Sequence, residues 1–246
     1  YSDIITFAFW CRKANINKIK NDFNDKHFRL GLGLVFHITP SNVPINFAFS
    51  FVFGLLSGNA NIVRVPSKPF EQIDIICNSI NKIMSKNKYK ELSGMNSFIR
   101  YNQNDKITGN YSANCNARII WGGDKTVNDV RKLTTPERCV DIAFSDRYSF
   151  CVIDAPSVLK LNDTELNRLS ESFYNDTYLI DQNACSSPHM IVWQGKKKNS
   201  AKEKFWNSLS KIISKKYHLS EIKAVDKYVL LCNNFIELDQ IKYFKT

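Results

Sequence analysis

The residues best suited to chemistry lie in one short run, Asp181-Gln182-Asn183-Ala184-Cys185-Ser186-Ser187-Pro188, between a predicted helix and a predicted strand. A thiol on such a turn, flanked by small residues and close to backbone N–H donors, can have its pKa lowered and its thiolate made available as a nucleophile. The alternative is a plain loop cysteine. A second constellation is Thr39-Pro40-Ser41-Asn42-Val43-Pro44, at the carboxyl end of a predicted strand and the start of the next helix. Ligands of open α/β sheets bind at that edge. The Asn42 amide can stabilise an oxyanion there, a contribution of about 3 kcal/mol when well aimed; the alternative is a turn or cap asparagine. A third run, Gly58 to Lys68, reads as a strand ending in Pro66-Ser67 with Arg64 and Lys68 on either side. In the fourth, Trp121-Gly122-Gly123-Asp124, glycines join a strand to a helix whose free N–H groups can hold a phosphate. It is not the GxGxxG fingerprint, and Asp124 argues against an anion there.

These runs need a scaffold, and the hydrophobic periodicity supplies one. From Leu30 onward short β-rich runs alternate with helical patterns, as parallel βαβ units do. Strands are expected at 33–38, 60–65, 97–101 and 117–121, with helices at 44–56, 68–85 and after Gly123. The stretch Thr134 to Arg147 shifts in composition and marks a junction near residue 145, giving an expected first domain over 1–145 and a second over 146–246. In the second, strands are expected at 148–153 and 189–193, and helices from Asp163 and over 200–216. The aromatic set Phe47, Phe49, Phe51 and Phe53 is expected in the core, with an acyl tunnel as the alternative. His37, inside a strand, is expected to be buried and hydrogen-bonded. The basic tract Gly195 to Lys198 reads as a solvated turn.

Composition narrows the partners. The 246 residues carry 34 Lys and Arg against 23 Asp and Glu, a net charge of +11, so an anionic partner is expected. With 43% hydrophobic and 23% charged residues the chain is globular rather than disordered or fibrous. A nucleic-acid-binding module is compatible with the charge, but no helix-turn-helix or RNP pattern and no strand face of interleaved cations and aromatics is present. The seven cysteines are scattered and form no CxxC, which points away from a disulfide framework or zinc site and toward a reducing, cytoplasmic setting. The most apolar stretch, Val43 to Leu56, contains Pro44 and Asn46 and is too short for a membrane span. The chain opens Tyr1-Ser2-Asp3 without Met or a secretory pattern, and the expectation is a fragment of a longer protein.

The order of the motifs is more telling than any one of them. A strand, then ITPSNVP and a helix, then a GN…RVPSK strand, a Gly-Gly turn, and finally QNACSSP resembles the aldehyde dehydrogenase superfamily. Within it the wording is most similar to the long-chain acyl-CoA reductases of the LuxC type, whose best-known members make the aldehyde for bacterial luciferase. The matching span runs from about Gly33 to Trp193.

The resemblance implies an α/β fold of aldehyde dehydrogenase type. Its parts are a nicotinamide-binding, Rossmann-like parallel sheet with helices on both faces and the start of a second α/β catalytic domain. It also implies roles. Cys185 matches the nucleophile that takes the acyl group from coenzyme A, and Asn42 matches the oxyanion-hole amide. Thr39 and Ser41 would line the nicotinamide side, Arg64, Ser67 and Lys68 the adenosine ribose, and Gly122, Gly123 and Asp124 the pyrophosphate. Oxidising relatives usually carry a Lys just before the Pro-Ser, where this chain has Val65. The cations alongside favour NADPH, with NADH possible. Oxidising relatives also carry a Glu as hydrolytic base, whereas the comparable segment here is Phe144-Ser145-Asp146-Arg147-Tyr148. Without that base an acyl-enzyme would persist long enough to be reduced to a fatty aldehyde. The resemblance further implies acyl-transferase and acyl-protein synthetase partners and a homo-oligomer. The runner-up is a reductase of the same superfamily acting on an acyl phosphate or semialdehyde.

Overall fold

The structure is a computed structural model, and it describes residues 1–23, 27, 29–179, 181–182, 184–219 and 221–237. The chain divides into two compact units. Residues 1–147 form the first, with which Ala184 and Cys185 also group; 148–182 and the chain from Ser186 onward form the second.

The first unit opens with helices α1 (Ser2–Trp10) and α2 (Lys13–Asp22), followed by strand β1 (Leu34–Ile38), α3 (Asn46–Leu56) and β2 (Ala60–Arg64). Next come α4 (Glu71–Met84), a short α5 (Lys90–Gly94), β3 (Asn96–Ile99), α6 (Asp105–Ala113), β4 (Ala117–Trp121), α7 (Asp124–Arg131) and β5 (Val140–Phe144). All five strands are parallel, in the order β3-β2-β1-β4-β5. Right-handed crossovers require the β1-to-β3 helices on one face and the β3-to-β5 helices on the other, and the cores agree. Phe47, Ala48 and Phe51 of α3 pack with Val63, Ile73 and Ile76 on one side; Phe36, Ile38 and Ile120 pack with Val127 and Val130 of α7 on the other.

Strands buried on both faces read as continuous apolar runs, which is why the expected and observed bounds of β1, β2 and β4 differ by no more than one residue. The fifth strand lies in the stretch expected to be a junction. Val140, Ile142 and Phe144 alternate with Asp141 and Ala143, and they remain partly exposed, so no apolar run announces the strand. Phe47 and Phe51 are core residues as expected, Phe49 packs edge-on against Phe7 and Trp10, and Phe53 is half exposed.

The second unit is built on β6 (Ser149–Asp154) and β7 (Pro188–Gln194), a parallel pair. Helices α8 (Ala155–Lys160), α9 (Asp163–Thr177) and α10 (Lys198–Lys216) bury Ile153, Trp193, Leu166, Phe205 and Leu209 against one of its faces. Asn162 and Glu165 form a reciprocal capping box that starts α9. Lys204 of α10 donates to the carbonyls of Leu159 (3.0 Å) and Leu161 (2.7 Å), closing the end of α8. Lys197, in the basic tract, takes a left-handed conformation at the start of α10, consistent with a solvated turn. A final helix, α11 (Glu221–Glu237), completes the described chain. No helix among the described residues is long and apolar enough to cross a membrane.

Candidate active site

Because the five strands of the first unit run in parallel, everything that follows a strand lies at one edge of the sheet. Thr39, Arg64, Tyr101, Gly122 and Asp146 therefore share the carboxyl edge. The order reverses between β1 and β4, and at such a switch point an open sheet leaves a crevice. The loops after these two strands are Thr39–Pro44 and Gly122–Gly123, so the second and fourth constellations are brought to the same place in the topology.

Thr39 is buried, and its hydroxyl donates to the Arg64 carbonyl (2.6 Å), tying the ends of β1 and β2 together. Ser41 and Asn42 are exposed in the loop that Pro44 leads into α3. The Arg64 guanidinium lies 4.6 Å over the ring of Tyr101, and its Nε is buried without a partner among the described residues. Tyr101 in turn exchanges a hydrogen bond with Thr108 (3.0 Å). Ser67 is half-buried and Lys68 exposed beyond the end of β2. Tyr101 was not a sequence candidate. It stands two residues past a strand end, and its only signal is an aromatic at the edge where ligands bind.

At the fourth constellation the acid count rises. Asp124 opens α7 in an exposed position, and the Asp146 carboxylate lies against Gly123, where a Cβ would come within 2.6 Å of Oδ2. A helix N-terminus that already has a carboxylate alongside is a poorer host for a second anion.

Beneath this edge runs a directional polar chain. The Asn61 amide donates to the Asn59 carbonyl (2.9 Å) and to Asn96 Oδ1 (2.8 Å), which leaves Asn61 Oδ1 to accept from His37 Nε2–H (2.9 Å). His37 Nδ1 is then the acceptor of the Ser50 hydroxyl (2.8 Å), and Ser50 Oγ accepts from the Trp121 indole (3.2 Å). Burial drives the His37 pKa down to about 4, against a smaller upward effect of Asn61, so the ring is neutral. This is the buried, hydrogen-bonded histidine expected. It fixes Trp121, which stacks on Phe144 with centroids 4.0 Å apart. Both rings line a cavity of about 330 Å³ with Ser50, Phe53, Gly54 and Ile142.

Cys185 is exposed, whereas the other six cysteines are buried or half-buried. Asn183, two positions before it, lies outside the described residues. The turn leading to Cys185 passes through Asp181 and Gln182, both with left-handed backbone (φ +56° and +60°). Nothing in the spacing of the sequence marked α11 as a partner of this turn, yet Lys223 and Lys227 reach Asp181 from it (3.6 and 3.2 Å). No cluster of three or more metal-ligating side chains is present among the described residues.

Comparison with known proteins gives a consistent picture. The family model described as acyl-CoA reductase (LuxC) matches residues 16–223. The long-chain acyl-protein thioester reductase of Vibrio harveyi is 24% identical over 179 residues, covering 72% of this chain and 35% of its own length. Among solved structures, an NAD-dependent aldehyde dehydrogenase from Sinorhizobium meliloti superposes with a TM-score of 0.60 at 14% identity, covering 84% of this chain and 41% of that one. A betaine aldehyde dehydrogenase from Staphylococcus aureus, a double mutant solved with NAD+, gives 0.54 at 20% identity, covering 75% and 34%. At these identities the structural likeness establishes the aldehyde dehydrogenase-like fold. The chain spans about a third of the length of the curated relative it matches.

Proposed function

Since the chain belongs to the acyl-CoA reductase (LuxC) family, we propose that the full-length protein reduces a long-chain fatty acyl thioester to the aldehyde by way of an acyl group on Cys185. The observation that carries this reading is the exposure of Cys185, the residue that the motif resemblance assigns as nucleophile. A buried thiol elsewhere in the chain would have to be uncovered before meeting a substrate; this one would not.

The steps assigned to the chain are these. The Cys185 thiolate adds to the thioester carbonyl, and the bond to the carrier sulfur breaks, releasing the carrier thiol. Asn42, with the Cys185 backbone N–H, stabilises the oxyanion formed on the way. When bound, a reduced nicotinamide dinucleotide supplies the hydride that converts acyl-Cys185 to a thiohemiacetal. Breaking the carbon–sulfur bond of that adduct releases aldehyde and restores the Cys185 thiolate. Hydrolysis is disfavoured because the segment Phe144–Tyr148 offers only Asp146 as a carboxylate, and Asp146 lies against Gly123.

The residues present fit a dinucleotide at one end of the edge better than at the other. The Arg64 guanidinium over the ring of Tyr101, with Nε lacking a partner among the described residues, suits a phosphate on the adenosine ribose. Arg64 and Lys68 together favour NADPH over NADH, with Thr39 and Ser41 on the nicotinamide side and Ser67 near the ribose. At Gly122, Gly123 and Asp124 the neighbouring Asp146 opposes a pyrophosphate, so the weight of cofactor binding is assigned to the β1 and β2 loops. An acyl-transferase and an acyl-protein synthetase are proposed as the proteins that deliver the acyl group, and self-association as the state of the full-length enzyme.

Incubation of the full-length protein with radiolabelled acyl-CoA, followed by peptide mapping, tests the reading. Label is expected on Cys185, discharged as aldehyde on addition of NADPH and absent in Cys185→Ala. Label on another residue, or its retention in that variant, would overturn the assignment.

A further inference from the structure

The turn before Cys185 is unusual in what holds it. Asp181 and Gln182 are consecutive non-glycine residues in the left-handed region (φ +56° and +60°). Such a conformation persists only where the surroundings over-determine it. The backbone contributes two bonds: Asp181 N–H donates to the Tyr178 carbonyl (3.1 Å) and Gln182 N–H to that of Thr177 (2.7 Å). The side chains contribute more. The Asp181 carboxylate accepts from the Tyr217 hydroxyl at the end of α10, and from Lys227 and Lys223, which lie one turn apart on the same face of α11. Lys227 also donates to Gln182 Oε1 (3.0 Å), so a single ammonium holds both left-handed residues. Burial raises the Asp181 pKa, but the Tyr217 hydroxyl and the two ammonium groups outweigh it and leave the carboxyl below its ordinary value.

A turn that needed only left-handed backbone would be served by glycine. Here a carboxylate in that conformation is gripped by two elements that follow Cys185 in the chain. Gln182 stands three residues before Cys185 in the chain. We infer that Asp181 is a positioning residue: clamped by Tyr217, Lys223 and Lys227, it sets the turn from which Cys185 meets the acyl carbon. The inference rests on the assignment of Cys185 as nucleophile. A displacement of about 1 Å at a reacting atom costs on the order of 10²-fold in rate, and release of the clamp acts through such a displacement.

The test compares Asp181→Gly, Asp181→Asn and Lys227→Met with the parent in the full-length protein. Three quantities are read: the first-order rate of Cys185 acylation at saturating acyl-CoA, the half-saturating acyl-CoA concentration, and the melting temperature. Asp181→Gly keeps the left-handed backbone and removes the grip. It is expected to lower the acylation rate by roughly 10- to 100-fold, with half-saturation and melting temperature little changed. Lys227→Met, altered from the other side of the clamp, is expected to lower the rate in the same way. Asp181→Asn, which tolerates left-handed backbone and still accepts from Tyr217, is expected to recover part of the loss. Acylation of Asp181→Gly and Lys227→Met at the parental rate would overturn the inference. Failure of the parent itself to acylate Cys185 would instead sink the nucleophile assignment, and mapping of the label separates the two.

Discussion

Arg118 and Asp141 face each other across β4 and β5, with Nε and Nη2 of the guanidinium each 2.7 Å from a different carboxylate oxygen. Arg118 is only 2% exposed, and its Nη1 also donates to the Val130 carbonyl at the end of α7 (2.8 Å). One guanidinium therefore ties together both strands and the helix that crosses between them.

Asp141→Ala leaves that guanidinium buried without its counter-charge. Removal of one partner of such a pair costs about 3 kcal/mol or more, and β5 is the strand with least apolar cover to compensate. Urea denaturation should show the loss. A change below about 1 kcal/mol would mean that the pair is not buried in solution.

The neutral state of His37 makes stability depend on pH. In the unfolded chain the ring takes its proton near 6.5, but in the fold only near 4. The unfolded state therefore binds more protons between those values, and stability falls as pH drops through that window. A difference of this size corresponds to about 3 kcal/mol. Denaturation curves from pH 7 to pH 4 are expected to lose this slope in His37→Gln.

Gly54 packs its bare Cα against the same polar chain. A Cβ there would come within 2.1 Å of Asn61 Oδ1 and 3.0 Å of the His37 ring. Gly54→Ala is expected to destabilise by about 1 to 3 kcal/mol through overpacking. The near-ultraviolet signal of Trp121 should change as well, because Ser50 links that indole to His37.

Thiol chemistry should distinguish the cysteines. Burial pushes Cys115 up to about 12, with Cys139 close by (3.9 Å) adding to the effect, and burial pushes Cys77 up to about 11. Cys185 is exposed. Stoichiometric iodoacetamide at neutral pH is expected to modify Cys185 first, and peptide mapping would reveal any other order.

Arg64 supplies the last comparison. Arg64→Ala removes the half-buried side chain whose guanidinium lies over Tyr101 and is expected to raise KM for NADPH roughly tenfold more than for NADH, in line with the loss of a charge-assisted contact. Equal effects on the two cofactors would place the 2′-phosphate elsewhere.

Much of the fold is legible in the sequence because three strands of the first unit are covered by helices on both sides. Val35, Phe36 and Ile38, like Ala117, Ile119 and Ile120, form runs that need no alternation to be recognised. The helices α4 and α9 declare themselves by periodic apolar positions and charged or capping residues at their starts. What escaped depends on distant partners. The Asp141 position looks like a polar interruption until Arg118 is opposite it, and β5 lies in the stretch whose composition shift reads as a junction. The site divides in the same way. Cys185 and Asn42 stand as candidates on motif wording, and Arg64 as a candidate on a cation beside Pro-Ser. Tyr101 is recognisable only once β2 and β3 are neighbours. Lys223 and Lys227 read as ordinary helix-surface lysines until α11 folds back to Asp181.

The strand order has a consequence during synthesis. Between its two neighbours in the sheet, β1 finds β2 soon after it emerges, but its other edge waits for β4, whose first residue is Ala117. At roughly 5 to 20 residues per second, that edge stays open on the ribosome for on the order of 4 to 16 s. A nascent chain with an unpaired, strongly apolar strand edge for so long invites chaperone binding, and slowing translation between β2 and β4 should lengthen that vulnerable interval.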